Sequence, residues 1–492
     1  MRKSLAGLRL ERAGAIPLHQ QIAQYLRDLI LGGELPNGSL LAGSRVIAFE
    51  IGCSRSVVND ALELLCAEGY LEVVDRSGFK VALEPPVCGH QRLSTHSPYR
   101  TPPRLRVEQF SNVWKLLLSD DYEINPMSPF SPGAPEIGSF PFDAWARILR
   151  QTWRAPERQL LLAPAPQGVP RLRDAVADFL GSVRGLLCRP EEIVITSGTA
   201  NSLDLLARML LNPGDAVWLE EPGFSEARWA CSAAGGQLVP VPVDESGLIV
   251  SEAIKRAPNA RLAIVTPSNQ YPLGMMLSLE RRLQLLEWAH QQDAWIIEDD
   301  YNSEFRQPGN MIASLKSLDK TGRVIYVGTF SKIMFPSLRI GYLVANKVFA
   351  DIFARGRARI DLHTSTHLQL ALANFLRSGL LIRHVRRMRA VYAERHDAVV
   401  HEFRHQLADD LDIPTSGIGL HFVAFFTQSL AARISDIEAA SRTRAAGVFV
   451  QALSQCYLTD PARQGFIVGF GQVQTEAASR LVGTIAACLA RH

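Results

Sequence analysis

Features that would place a protein outside the cytoplasm are missing from this 492-residue chain. Its seven cysteines are scattered and form no C-x-x-C pair, which argues against a disulfide framework and against a zinc site. No run of about 18 apolar residues occurs, and no apolar segment follows the basic start of the chain. We therefore expect a cytoplasmic protein without a membrane span, a secretion signal or a metal site.

The chain also lacks an excess of charge of either sign. Its 52 lysines and arginines face 49 aspartates and glutamates, so net charge gives no argument for nucleic acid or for a membrane surface. What the chain does have is length and apolar content. Hydrophobic residues make up 47% of it, and the usual size of a domain predicts roughly two to four domains.

Apolar periodicity in residues 1–84 predicts three helices followed by a β-hairpin. The first helix begins after Pro17, the second covers residues 44–50, and Ser54 is a suitable N-cap for the third. The two strands cover residues 70–74 and 79–81. This order of elements predicts a winged helix-turn-helix domain.

Residues 85–115 are rich in proline and arginine and predict a semi-rigid, basic linker. In residues 116–492, short apolar strands alternate with helical stretches, which predicts a mainly parallel sheet covered by helices on both faces. A long helix over residues 381–403 opens the last third, where we expect a smaller α/β domain. The strand candidates are 192–196, 216–219, 262–266, 294–297 and 324–327.

Lys332 is the candidate for covalent chemistry. It ends the segment Thr329-Phe330-Ser331-Lys332, which follows a strand-like apolar run. A lysine amine becomes a nucleophile when desolvation or a neighbouring cation lowers its pKa, and it can then form a Schiff base with pyridoxal phosphate. Taken alone, the segment is better explained by an exposed lysine in a strand-to-loop corner, because most lysines are solvated surface charges.

Five motifs decide between these interpretations: Ile-Thr-Ser-Gly-Thr at 195–199, Glu-Pro-Gly-Phe at 221–224, Thr-Pro-Ser-Asn-Gln-Tyr-Pro-Leu-Gly at 266–274, Glu-Asp-Asp-Tyr-Asn-Ser-Glu-Phe-Arg at 298–306 and Gly-Thr-Phe-Ser-Lys at 328–332. With them the chain resembles a fold-type I, class I/II aminotransferase. Together with the winged helix it resembles the MocR/GabR subfamily of GntR-type transcription regulators. The resemblance implies an α/β fold, with a large doubly wound sheet domain and a small C-terminal domain.

The resemblance also implies pyridoxal 5′-phosphate as the cofactor. Lys332 would hold it as a Schiff base, and Asp299 would keep the ring nitrogen protonated, with Asp300 as the competing candidate. Tyr301 would hydrogen-bond the phenolic oxygen, and Phe224 would stack on the ring. Lys332, Asp299 and Tyr301 are the candidate catalytic residues.

The cofactor phosphate would lie at the turn of Ser197, Gly198 and Thr199, where backbone N–H groups converge at the start of a helix. Thr329 and Arg339 are similar to family positions that add a hydroxyl and a guanidinium, although a substrate-facing role for Arg339 stays open. The full cofactor set implied by the resemblance is Ser197, Gly198, Thr199, Phe224, Tyr271, Asp299, Tyr301, Thr329, Lys332 and Arg339.

The candidate DNA contacts lie in the winged helix. The start of the third helix would enter the major groove, and residues of the second helix and of the hairpin would contact phosphates or the minor groove. The candidates are Arg45, Ser54, Arg55, Ser56, Asn59, Arg76 and Lys80. A solvated three-helix bundle without DNA contacts is the alternative, because acidic residues slightly outnumber basic ones in residues 1–84.

Several positions depart from the family pattern on the effector side. Ile467 stands where many aminotransferases hold a substrate carboxylate with an arginine, and Glu226 stands at a position that is basic in some members. Arg228 lies nearby but out of register. Asn269 replaces a common histidine, and Leu41-Ala42-Gly43-Ser44-Arg45 replaces a Pro-Ser-Ser-Arg segment.

Our leading hypothesis is a transcription regulator that senses an amine or amino acid through transaldimination at Lys332. The resemblance implies a homodimer that binds duplex operator DNA. RNA polymerase is a further candidate partner. An active aminotransferase with an accessory DNA-binding domain is the alternative, although Ile467 argues against it for ordinary amino acids. A third hypothesis is a dimerisation scaffold without cofactor.

Overall fold

The computed structural model describes residues 8, 10–12, 16–74, 78–83, 111, 113, 128–162, 165–306, 313–414 and 419–490. The chain divides into two compact units, Met1–Leu105 and Arg106–His492. None of the described helices is long and apolar enough to cross a membrane.

The first unit is the winged helix-turn-helix that the periodicity predicts. Ile22, Leu26 and Ile30 recur at helical spacing and bury one face of the first helix. Ser54 caps the third helix, since its side chain accepts a hydrogen bond from the N–H of Val57. The elements are α1 (Leu18–Leu31), α2 (Ser44–Glu50), α3 (Arg55–Ala67), β1 (Leu71–Val74) and β2 (Gly78–Val81).

The second unit is built on an eight-stranded sheet with the order β3-β10-β9-β8-β7-β4-β5-β6. Strands β9, β8, β7, β4 and β5 run parallel, whereas β10 and β6 are antiparallel to their neighbours. The strands are β3 (Ile193–Thr196), β4 (Ala216–Glu221), β5 (Gln237–Asp244), β6 (Gly247–Leu248), β7 (Leu262–Val265), β8 (Trp295–Asp300), β9 (Val324–Thr329) and β10 (Gly341–Val344).

Helices cover this sheet because its central strands are buried on both faces, as in other mainly parallel sheets. The described α-helices of the second unit, including those of its last third, are α4 (Phe142–Arg154), α5 (Arg158–Leu162), α6 (Pro170–Val183), α7 (Thr199–Leu210), α8 (Ser225–Ala233), α9 (Val250–Arg256), α10 (Leu279–Gln291), α11 (Leu315–Leu318), α12 (Lys347–Arg357), α13 (Thr366–Arg377), α14 (Leu380–Gln406), α15 (Gln428–Arg433), α16 (Asp436–Ala445) and α17 (Ala478–Leu489).

The last third of the chain adds a four-stranded antiparallel sheet with the order β11-β12-β14-β13. Its strands are β11 (Leu411–Asp412), β12 (His421–Phe426), β13 (Gln451–Ala452) and β14 (Gly465–Gly469). The predicted α/β class, the mainly parallel sheet and the smaller C-terminal sheet domain are confirmed. The antiparallel β10 and the edge strands β5 and β6 are elements that the sequence did not indicate.

Candidate cofactor and effector site

A cavity of about 320 Å³ lies where strands β8 and β9 and the start of helix α7 meet the first residue of β12. Carboxyl ends of strands in an open α/β sheet are the usual place for a ligand. Eight predicted cofactor residues line this cavity: Thr199, Phe224, Tyr271, Asp299, Tyr301, Thr329, Lys332 and Arg339. The fold therefore brings together side chains that are up to 140 positions apart in the sequence.

Lys332 reaches the cavity from the turn after β9. Burial lowers the pKa of its amine, and the charges of Glu226 and Asp299 partly oppose that effect. Gly133, with φ +68°, lies against it, because a Cβ built at this glycine would be 2.6 Å from Lys332 Nζ. The lysine is thus packed in a space that only glycine leaves open, with an amine more easily deprotonated than usual.

One oxygen of the buried Asp299 carboxyl has no hydrogen-bond partner among the described residues. Asp299 is 3% exposed at the end of β8, and the oxygen without a partner is Oδ1. Burial raises its pKa to about 8, with smaller contributions from Asp300, Glu226 and Glu220. A buried carboxyl that lacks a partner is costly, and a cationic ring nitrogen is the kind of group that would satisfy it.

Asp300, the competing candidate for the ring nitrogen, already accepts hydrogen bonds from other side chains. Its Oδ2 accepts hydrogen bonds from Arg184 Nε at 2.6 Å, Ser303 Oγ at 2.7 Å and Tyr326 Oη at 2.8 Å. This buried ion pair does not line the cavity, so the geometry favours Asp299.

The aromatic side chains of the cavity are held by neighbouring amides and rings. Asn269 Nδ2 donates to Tyr301 Oη at 2.9 Å, and Tyr271 Oη donates to Gln451 Oε1 at 3.2 Å. The rings of Phe224 and Tyr271 meet edge to face, with centroids 5.5 Å apart. Burial, followed by the Asp299 charge, raises the pKa of Tyr301 well above its usual value, so its phenol stays protonated.

One end of the cavity has the groups that suit a phosphate. Gly198, with φ +103°, precedes the N-terminus of α7, and a Cβ built there would be 3.6 Å from the Arg339 guanidinium carbon. Thr199 and Thr329 line the cavity beside them. Ser197 turns its hydroxyl to Thr364 Oγ1, at 3.2 Å, and neither Ser197 nor Gly198 lines the cavity itself.

Several cavity residues were missed by sequence reasoning. His421 opens β12; its Nε2 hydrogen-bonds the carbonyl of Pro272 at 3.1 Å, and burial lowers its pKa to about 4, which keeps the ring neutral. Arg444, Phe449 and Gln451 also line the cavity. They follow Lys332 by about a hundred residues and carry no local motif, so no sequence signal placed them here.

The candidate DNA-binding residues lie on the outside of the first unit. Arg45, Arg55 and Ser56 are exposed, and Ser54 also serves as the N-cap of α3. Lys80 forms an ion pair with Glu72 across the hairpin, at 2.7 Å. The remaining candidates are Asn59, half-buried on α3, and Arg76, which lies outside the described residues.

Comparison with known proteins assigns both units. A family model for aminotransferase class I and II matches residues 131–470, and one for bacterial regulatory proteins of the gntR family matches residues 18–81. The probable rhizopine catabolism regulatory protein MocR of Rhizobium meliloti is 39% identical over 94% of this chain and 92% of its own length. The pyridoxine biosynthesis regulator PdxR of Corynebacterium glutamicum is 32% identical over 92% of this chain and 91% of its own.

Solved structures match the second unit. An archaeal alanine:glyoxylate aminotransferase has a TM-score of 0.67 at 26% identity and covers 76% of this chain and 92% of its own. Kynurenine aminotransferase of Pyrococcus horikoshii, solved with PMP, has the same TM-score and identity and covers 78% of this chain and 95% of its own. The predictions of fold and of a pyridoxal phosphate cofactor are confirmed.

Proposed function

Because the chain belongs to the MocR/GabR subfamily of GntR-type transcription regulators, which joins a winged helix-turn-helix to an aminotransferase class I and II domain, we propose that it senses an amine or amino acid at Lys332. The protein is a DNA-binding regulator of the pyridoxal phosphate type. We further propose that the effector reacts at Lys332 and that the protein is located in the cytoplasm.

The observation that carries the proposal is the presence in one cavity of a lysine whose amine has a lowered pKa and of an aspartate with one oxygen that no described residue hydrogen-bonds. When bound, pyridoxal phosphate supplies an aldehyde carbon to which an amine attaches covalently, and a ring that serves as an electron sink. Lys332 would hold the aldehyde, Asp299 the ring nitrogen and Tyr301 the phenolic oxygen. Thr199, Thr329 and Arg339, which line the cavity, would hold the phosphate.

Sensing requires that the effector interact differently with two states of the protein. If an effector amine were attached to the cofactor aldehyde in place of Lys332, the lysine amine would be free to take up a proton. Glu226 and Asp299 both raise the pKa of that amine, so they favour its charged form. We infer that this change of charge inside the cavity is the local event on which regulation depends.

A borohydride experiment combined with a gel shift tests the proposal. We expect borohydride to fix the cofactor on the peptide that contains Lys332, and amines to alter the shift of the protein on its own upstream DNA. In Lys332→Ala both effects should be lost, while Lys255→Ala, at an exposed lysine, should behave as wild type. An amine response that persists in Lys332→Ala would refute sensing at this residue.

The alternative of an active aminotransferase is favoured by the same cavity, because Lys332, Asp299 and Tyr301 all line it. A turnover assay with amino acids and 2-oxo acids distinguishes the two. We expect weak or absent turnover. The homodimer and the contact with RNA polymerase stay predictions.

A further inference from the structure

An acidic side chain lines the same cavity as Lys332. Glu226 lies in the first turn of α8, and Ser225 Oγ donates to its Oε2 at 2.9 Å. Burial raises the pKa of Glu226, while the hydrogen bond from Ser225 and the charge of Lys332 lower it. A carboxylate in such a place is stabilised by any further donor that a ligand brings.

The nearest arginine in the sequence does not turn its guanidinium to Glu226. Arg228 Nη1 and Nη2 donate to the carbonyl oxygens of Tyr457 and Gln455, at 2.9 Å and 2.6 Å. Arg228 therefore links helix α8, by two hydrogen bonds, to the segment of Gln455 and Tyr457 that follows β13. Its charge is the smallest of the influences on the pKa of Glu226.

Position 467 on β14, where many aminotransferases bind a carboxylate with an arginine, is occupied by an apolar side chain with apolar neighbours. Ile467 is fully buried and packs in a cluster with Val423, Phe425 and Leu453. Gln451, its partner across the strands, lines the cavity with an amide whose Oε1 accepts a hydrogen bond from Tyr271. These strands thus offer the effector a neutral polar group instead of a cation.

Three cationic side chains line the cavity. Lys332 and Arg339 lie where the proposed function places the aldehyde and the phosphate of the cofactor. The guanidinium of Arg444 lies over the ring of Phe449, 5.3 Å from its centroid. Arg444 is therefore the residue that would recognise an anionic effector, if the effector is anionic.

We propose that Glu226 selects the effector: an amine that carries a second ammonium or hydroxyl group, which donates to the Glu226 carboxylate, in preference to an amine that carries a carboxylate. The amine group of the effector reacts at the cofactor, and its second group, the ammonium or hydroxyl, is recognised by Glu226. This inference rests on the proposed function, because it assumes that an effector amine enters the cavity of Lys332.

Four amines of equal chain length test the inference: 1,4-diaminobutane, 4-amino-1-butanol, butylamine and 4-aminobutanoate. Each is titrated into the cofactor-loaded, full-length protein, and the change in the absorption of the cofactor gives a Kd. We expect the diamine and the amino alcohol to bind roughly ten- to a hundredfold more tightly than butylamine, the usual effect of a hydrogen bond to a charged group. We expect 4-aminobutanoate to bind more weakly than butylamine.

Glu226→Gln keeps the size of the side chain and removes its charge, so we expect it to abolish most of the advantage of the diamine over butylamine. Glu245→Gln, at an exposed acid between β5 and β6, is the matched control and should keep that advantage. An unchanged absorption spectrum of the bound cofactor shows that Glu226→Gln is folded.

The other outcomes overturn the inference in different ways. If 4-aminobutanoate binds best, and Arg444→Gln but not Glu226→Gln removes its advantage, the cavity selects an anion. If all four amines bind equally, Glu226 does not select the effector, although the proposed function stands. If no amine changes the spectrum of protein that holds the cofactor, amine sensing itself fails.

Discussion

Burial of the Asp299 carboxyl costs free energy in the cofactor-free protein. Its pKa is about 8 in the folded state, against about 3.9 for an aspartate in an unfolded chain. Between these pH values the folded state holds a proton that the unfolded state has lost. The contribution of Asp299 therefore makes the protein less stable as the pH rises from about 4 to about 8, and it is constant above that.

Asp299→Asn should stabilise the cofactor-free protein and weaken cofactor binding. The amide carries no charge, so the gain in the free energy of unfolding should grow with pH up to about 8. At about 1.4 kcal/mol per pKa unit it amounts to a few kcal/mol. Denaturant unfolding of cofactor-free protein at several pH values measures it.

Asp351→Asn, which removes a carboxylate from an exposed position on α12, is the matched control. A gain that is the same at pH 5 and pH 8 would contradict the origin we assign to the pKa of Asp299.

The cavity residues divide into those that sequence could identify and those that it could not. Lys332, Asp299 and Tyr301 stand at strand ends inside dense motifs, so the order of the strands alone brings them together. His421 and Arg444 come from the C-terminal domain, and their positions depend on how that domain packs on the larger sheet. Nothing in their sequence neighbourhood encodes that packing.

At the scale of elements, substitutions of two adjacent residues of α3 and its cap, Ser54 and Arg55, should affect different properties: the first stability and the second DNA binding. Ser54 accepts the hydrogen bond that caps α3, so Ser54→Ala should lower the free energy of unfolding of the first unit by about 1 kcal/mol. Arg55 is exposed at the first position of the same helix. Arg55→Ala should leave stability within about 0.5 kcal/mol while weakening operator binding.

Thermal unfolding and gel shifts at several salt concentrations measure the two effects. If Arg55 contacts a phosphate, Arg55→Ala reduces the salt dependence by about one counterion, whereas a base contact changes sequence preference. Lys255→Ala removes a positive charge from the other unit and should change neither. Equal operator affinity for Arg55→Ala and wild type would exclude Arg55 as a DNA contact.

Strand β10 shows why element positions are easier to predict than their directions. Only the eleven residues 330–340 join β9 to β10, fewer than the dozen or more that a parallel crossover needs. This short connection favours the antiparallel direction in which β10 runs between β9 and β3. The length of a loop, which apolar periodicity ignores, therefore favours one direction for this strand.

At the scale of the whole molecule, the two units have separate hydrophobic cores. The core of the first unit is formed by residues between Ile22 and Val81, and the buried clusters of the second by residues between Phe130 and Leu489. The balanced charge of the chain gave no indication of DNA binding, which rests on the pattern of the first unit alone. Separate cores indicate that each function resides in one unit.

A chain shortened to residues 106–492 should therefore fold and bind pyridoxal phosphate with the absorption spectrum of the full-length protein. The described residues that line the cavity all lie between Ser131 and Gln455, so its amine affinities should also stay within about twofold. Operator binding should be lost, because Arg45, Arg55 and the rest of the winged helix are absent. A shortened protein that folds but binds no cofactor would show that the site depends on the first unit, and retention of the gel shift would place the DNA contacts elsewhere.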